Sequence, residues 1–223
     1  MSQSFKQARY EWGTINWRKV EVKVFKLQRR IYQAASRNDV RLVHRLQRLL
    51  ARSWFARLLA VRRVSQDNRG KRTAGIDGVA KLGPKQRWAL VNQLTLKGKA
   101  RPVRRIWIAK RNGEKRPLEI PVMAGRARQA LAKLALEPEW ESRFEANSYG
   151  FRPGRGAHDA IGAIFNAISK KPKYVLDADI AQCFDRIDHQ ALLAKLKTTP
   201  WLRRPIAGWL KAGVWDKRTV VSK

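Results

Sequence analysis

The sequence predicts an α+β chain: a helical, strongly basic N-terminal part, a central β-hairpin, and further helices around one more apolar strand. Three observations predict it. Apolar residues between positions 17 and 63 recur at steps of three and four, the period of one helix face. The turn signal Asn112-Gly113 separates two short runs rich in branched apolar residues. The run 174–180 alternates along a strand, with Tyr174, Leu176, Ala178 and Ile180 on one side and Val175, Asp177 and Asp179 on the other. The order helix, hairpin, helix, strand, helix argues for a mixed architecture.

The elements follow in order. Val20, Val24, Leu27, Ile31 and Ala35 make one face of a first helix. Asn38 or Asp39 can cap a second, with Val40, Val43, Leu46 and Leu50 on its apolar side, and Trp54, Phe55, Leu58 and Leu59 continue the pattern. Residues 65–84, rich in Gly, Asn and Asp, read as a loop and a domain boundary. A short helix is expected over 85–95, then a basic connector. The hairpin strands are Ile106 to Ala109 and Leu118 to Val122, where Pro117 and Pro121 allow only an edge or irregular strand. Helices are expected over 125–145, from about His158, and from His189 with Asp188 as cap.

Charge gives the partner class. The chain of 223 residues holds 49 Lys and Arg against 17 Asp and Glu, a net charge of +32, yet it is 44% hydrophobic with nine Trp. A folded chain this basic fits a polyanion, nucleic acid first. One face of the N-terminal helices carries Lys19, Lys23, Lys26, Arg30, Arg41, Arg45 and Arg48, with Glu21 and Asp39 nearly the only counter-charges. Solvated helices usually mix signs, so this stripe reads as a face for nucleic-acid backbone. Cys183 is the single cysteine, which excludes an internal disulfide, and His44, His158 and His189 form no metal spacing. The N-terminus lacks an apolar leader and no run is long enough to span a bilayer, so a soluble, cytoplasmic protein with no membrane partner is expected.

Four aspartates, Asp177, Asp179, Asp185 and Asp188, crowd into "YVLDADIAQCFDRIDH". Like charges in an apolar run need a positive partner. Two carboxylates on one strand face can hold Mg²⁺ beside a phosphate substrate, whereas a pairing of Asp177 with Arg or Lys is the plainer alternative. Asp188 is read as a cap. Around the hairpin turn, Lys110, Arg111, Lys115 and Arg116 are suited to gripping a triphosphate, though a solvated basic turn looks the same.

The segments "INWRKVEVKVFKLQRRIYQA", "LLAVRRVSQDNRGKRTAGIDGV", "GEKRPLEIPV", "LALEPEWESRFEANSYGFRPGRGAHDAI" and "VLDADIAQCFDRIDH" occur in this order. Together they resemble the N-terminal half of the reverse transcriptases and maturases encoded by bacterial group II introns. The resemblance implies a right-hand polymerase with a helical RNA-binding extension over residues 1–72, fingers over 73–170 and an incomplete start of the palm over 171–223. It implies Asp179 as the first catalytic aspartate and metal ligand for Mg²⁺, with the carbonyl of Ile180 beside it. Phe184 matches the residue that packs under the incoming sugar and favours deoxynucleotides, and Lys110 and Arg116 match residues that grip the triphosphate. Asp177 is similar to a structural acidic residue, and Cys183 stands where the family often has an aromatic. The implied partners are intron RNA, an RNA template with a DNA primer, dNTPs, and a C-terminal half or longer parent chain.

The family completes its metal site with a downstream Tyr-x-Asp-Asp strand. In this sequence the only acidic residue after Asp188 is Asp216. The chain alone is therefore expected not to polymerise. The alternative expectation is a non-catalytic maturase-like protein that helps intron RNA fold, and a general nucleoid or ribosomal protein explains the charge but not the aspartates.

Overall fold

The computed structural model describes residues 11–111, 113–216 and 219–221. Three helices open the fold: α1 (Trp17–Ser36), α2 (Val40–Arg52) and α3 (Trp54–Arg62). The starts of α1 and α2 have a local cause. The Asn16 side chain accepts the Lys19 N–H at 2.9 Å, and Asp39 accepts that of Leu42 at 3.0 Å, filling donors the first turn leaves open. Between α1 and α2 the chain reverses through Asn38 at φ 56, a conformation asparagine tolerates.

The core forms where these helices meet α5 (Met123–Glu141), which packs on all three. Val20, Val24 and Ile31 of α1, Val43, Leu46 and Leu50 of α2, Leu58 and Val61 of α3, and Leu131 and Leu134 of α5 are buried. Each such side chain contributes about 1.5–3 kcal/mol by leaving water. The cluster runs on through Val91 of α4 (Pro84–Gln93) to Leu202 of α8 (Pro200–Leu210). Around its N-terminal end Trp88 meets Trp12 edge to face and stacks on Trp54, while Trp17 packs tilted against Trp12.

Pro138 lies inside α5 and is buried. Proline has no N–H to give, so the carbonyl four residues back, on Leu134, loses its helical donor. Gln28 of α1 fills the gap: its Nε2 donates to the Leu134 carbonyl at 3.0 Å. One turn on, Gln47 of α2 donates to Glu139 Oε2 at 2.6 Å inside the core, and Arg143 holds the other oxygen at 2.7 Å. These polar contacts fix the register of α1 and α2 on α5 where apolar packing alone would permit sliding.

The four-stranded sheet has the order β2–β1–β3–β4. β1 (Val103–Ala109) and β2 (Lys115–Ile120) form the expected hairpin, pairing antiparallel from Arg104 opposite Ile120 to Ala109 opposite Lys115. Pro117 sits in β2, which is an edge strand as the proline demands. β3 (Val214–Asp216) runs parallel to β1 and pairs with β4 (Thr219–Val221). The expected loop over 65–84 contains two short helical turns, Arg63–Asp67 and Arg69–Arg72, then turns at Gly75–Gly78 and folds back, with the Lys81 N–H on the Lys71 carbonyl at 3.0 Å, before α4.

Two features tie that loop to the rest. Gly75 lies so close to the chain after β2 that an added Cβ would sit 2.7 Å from Val122 Cα and 2.8 Å from its nitrogen. Arg126 of α5 donates to the carbonyls of Pro121 at 2.8 Å, Gly70 at 2.9 Å and Thr73 at 2.6 Å. Its partial burial lowers the guanidinium pKa from its ordinary value, with Asp77 acting in the opposite sense.

Several expectations are corrected. The buried strand over 174–180 does not form: residues 172–180 have no regular structure, and Tyr174, Val175 and Leu176 are exposed. Alternation marks side chains that a sheet would bury, but a strand needs neighbours for its backbone N–H and C=O groups, and no described strand lies alongside. Val40 and Trp54, placed on the apolar side, are 48% and 41% exposed, because each opens its helix at the rim of the core. The helix expected to reach residue 145 ends at Glu141. α6 (Ala157–Ile168) and α7 (His189–Lys195) form where expected.

Candidate nucleic-acid interface and nucleotide site

Helical spacing places Lys19, Lys23, Lys26 and Arg30 in one row on α1, and Arg41, Arg45 and Arg48 in one row on α2. All seven are exposed. The two nearby carboxylates are engaged elsewhere. Glu21 is held by Arg62 at 3.1 Å, and Asp39 caps α2. Arg62 is itself fixed, with its guanidinium 4.7 Å above the Trp17 ring and 3.4 Å from Asp67. Among the described residues none of the seven makes an ion pair. Neighbouring like charges at i,i+4 destabilise a helix by about 0.2–0.5 kcal/mol each, so packing on α5 must hold this array together. The result is a concentrated positive field over two adjacent helices, suited to a polyanion.

The hairpin brings Lys110 and Arg116 to one end. Gly113, at φ 82, lets the turn close with its N–H on the Lys110 carbonyl at 3.1 Å, while Asn112 lies outside the described residues. Lys110 is held to Glu114 twice, N–H to carbonyl at 2.7 Å and Nζ to Oε2 at 2.8 Å. Arg116 stands exposed in β2 opposite Ile108. Below them, Arg105 and Glu119 pair across the two strands at 2.8 Å.

Asp179, Ile180 and Phe184 fall together in one exposed segment. Asp179 Oδ1 accepts the Ile180 N–H at 2.8 Å. Ile180 is 72% and Phe184 83% exposed. A turn centred on Gln182, at φ 52, follows. No hydrogen bond or ion pair among the described residues joins Asp179 to the hairpin cations. No three acidic, histidine or cysteine side chains of the described residues gather closely enough to hold a metal ion. Asp177 and Asp179 therefore do not by themselves fit a Mg²⁺ centre, which needs more oxygen ligands than one extended segment presents. Asp188 is a cap, as read: its Oδ1 accepts the N–H groups of Gln190 at 2.7 Å and Ala191 at 2.9 Å. Those bonds, the one from Ala191 first, hold its pKa below the ordinary value.

Three positioning residues were not read from the sequence. Gln28 and Arg126 act on partners far away in the chain. Arg152, within "YGFRPGR", is buried and binds Glu141 through two nitrogens, Nε at 3.1 Å and Nη2 at 2.7 Å, and the carbonyls of Glu145 and Ser148 at 2.6 and 2.9 Å. The Glu141 hydrogen bond raises its pKa. Arg152 thus closes the loop between α5 and α6. A buried arginine among glycines and a proline is the signal that could have found it.

No helix among the described residues is long and apolar enough to cross a membrane. Residues 12–94 match the N-terminal domain of reverse transcriptase, and residues 108–222 match reverse transcriptase (RNA-dependent DNA polymerase). Protein YkfC of Escherichia coli is 32% identical over 185 residues, 78% of this chain and 48% of that protein. The group II intron-encoded protein LtrA of Lactococcus lactis is 38% identical over 117 residues, 50% of this chain and 19% of LtrA. Maturase-like protein 1 of Euglena gracilis is 29% identical over 188 residues, 81% of this chain and 41% of that protein. The chain spans about half or less of the length of these relatives. The basic helices lie inside the first matched region, the hairpin turn with β2 and the aspartate segment inside the second, and the chain belongs to the reverse transcriptase family.

Proposed function

We propose that this chain is the RNA-binding N-terminal portion of a group II intron reverse transcriptase or maturase. The helices of residues 1–72 hold intron RNA and template. The hairpin within 73–170 grips a dNTP through Lys110 and Arg116, and the segment from 171 begins the palm, with Asp179 as its first catalytic carboxylate and Phe184 beneath the sugar. The observation that carries this is the double row of exposed cations on α1 and α2, where the only carboxylates between positions 17 and 52, Glu21 and Asp39, are already engaged. Their place inside a matched reverse transcriptase N-terminal domain supports RNA as the polyanion.

Nucleotide transfer needs more than the described residues assemble. Tyr174, Val175, Leu176 and Phe184 are exposed, and so are Ile161, Ile164 and Phe165 of α6. A palm continuation, in this chain's parent or in a separate C-terminal half, would cover them and give 174–180 its strand partners. The test is RNA binding across a salt series, with Lys19, Lys23, Arg41 and Arg45 each changed to Ala in one variant. Each lost phosphate contact should reduce the log–log salt slope by about 0.7–0.9. An unchanged slope would remove the two helices from the interface.

A further inference from the structure

A basic cleft is lined by no residue of the α1 row or of the aspartate segment. A cavity of about 1080 Å³ opens between the end of α2, α3, the connector over 95–102 and α8. Its walls are cationic: Arg52 and Arg57 on one side, Lys97 and Lys99 from the connector, Arg204 and Lys211 from the other side. No Asp or Glu is among the residues lining it. So many like charges around one cleft repel each other unless an anion sits between them.

Two details make the cleft a built feature rather than a loose basic surface. Gly98, at φ 108, carries the connector between its two lysines, and a Cβ there would lie 3.1 Å from the Arg128 guanidinium, which donates to the Lys99 carbonyl at 3.4 Å. Arg57 keeps its Nε–H screened from solvent with no acceptor among the described residues. Trp201 also lines the cleft, its ring steadied by packing against the core.

We propose that this cleft takes a single-stranded segment of RNA, its phosphates against the cations and an unpaired base against Trp201. This rests on the RNA-binding reading above and extends it, because Arg48 belongs both to the α2 row and to the cleft wall. A backbone lying along Arg41 and Arg45 is thereby led into the cleft. An aromatic ring inside a cationic groove selects unpaired bases, since a duplex keeps its base faces stacked.

Fluorescence anisotropy with a short labelled oligouridine and with a blunt RNA hairpin tests it. The decisive variant changes Lys97, Lys99, Arg204 and Lys211, all exposed, to Ala, so folding is not at stake. It should weaken oligouridine binding at least tenfold and reduce the salt slope by up to about 2.8, at about 0.7 per contact on a single strand. Hairpin binding should change far less. Trp201→Leu should weaken oligouridine roughly tenfold with the slope unchanged. Oligouridine affinity and slope equal to wild type in the fourfold variant, with RNA binding still lost on changing the α1 row, would overturn the cleft and leave the RNA-binding reading standing. Equal losses for oligouridine and hairpin would also overturn it. Wild-type protein that binds neither RNA would overturn both.

Discussion

Gln28→Leu removes one hydrogen bond and little volume, and its cost depends on a proline 110 residues away. Leu134 is fully buried, and Pro138 leaves its carbonyl without the helical donor. Gln28 Nε2, at 3.0 Å, replaces that donor. Removing it orphans a buried acceptor, which costs about 1–3 kcal/mol. In a Pro138→Ala background residue 138 regains an N–H and satisfies the Leu134 carbonyl itself. There Gln28→Leu should cost about 0.5 kcal/mol or less, the low end for a side-chain bond with an alternative partner. The double-mutant cycle should then give a coupling of about 1 kcal/mol or more. Urea unfolding followed by far-UV circular dichroism gives each stability, provided the slopes agree across the four proteins. Equal costs for Gln28→Leu in both backgrounds, within about 0.3 kcal/mol, would refute the reasoning.

Two further outcomes follow from the structure. Gly75→Ala puts a methyl within 2.8 Å of Val122 backbone atoms that cannot rotate away, and should destabilise by about 1–3 kcal/mol in the same urea assay. Asp188 has a folded pKa below its ordinary 3.8, so its cap contributes stability above that value and loses it as pH falls through the depressed pKa. An NMR titration of its carboxyl should show the depressed midpoint, and Asp188→Asn should keep α7 capped while removing this acid-range dependence.

The helices were legible because their order is local. Val20, Val24 and Ile31 repeat at the helix period, Asp39 and Asp188 cap within three residues, and Asn112-Gly113 marks the hairpin turn. The family was legible from ordered blocks that fall inside the matched regions. What alternation could not show is whether a strand finds neighbours. Residues 174–180 have the pattern of a buried strand and stand exposed, because pairing is a property of other segments. The contacts of Gln28, Arg126 and Arg152 were hidden for the same reason: each side chain answers backbone carbonyls exposed by a proline, a turn or a loop elsewhere. The lysines of the 95–102 connector looked like any basic linker until α8 was placed opposite them.

Primer extension on an RNA template with Mg²⁺ and dNTPs tests the central claim most directly. The protein is assayed alone and with a family C-terminal segment carrying the Tyr-x-Asp-Asp strand. The account predicts no extension by residues 1–223 alone, extension with the added segment, and its loss on Asp179→Ala. Extension by these residues alone, abolished by Asp179→Ala, would contradict the claim that their carboxylates do not complete the catalytic centre.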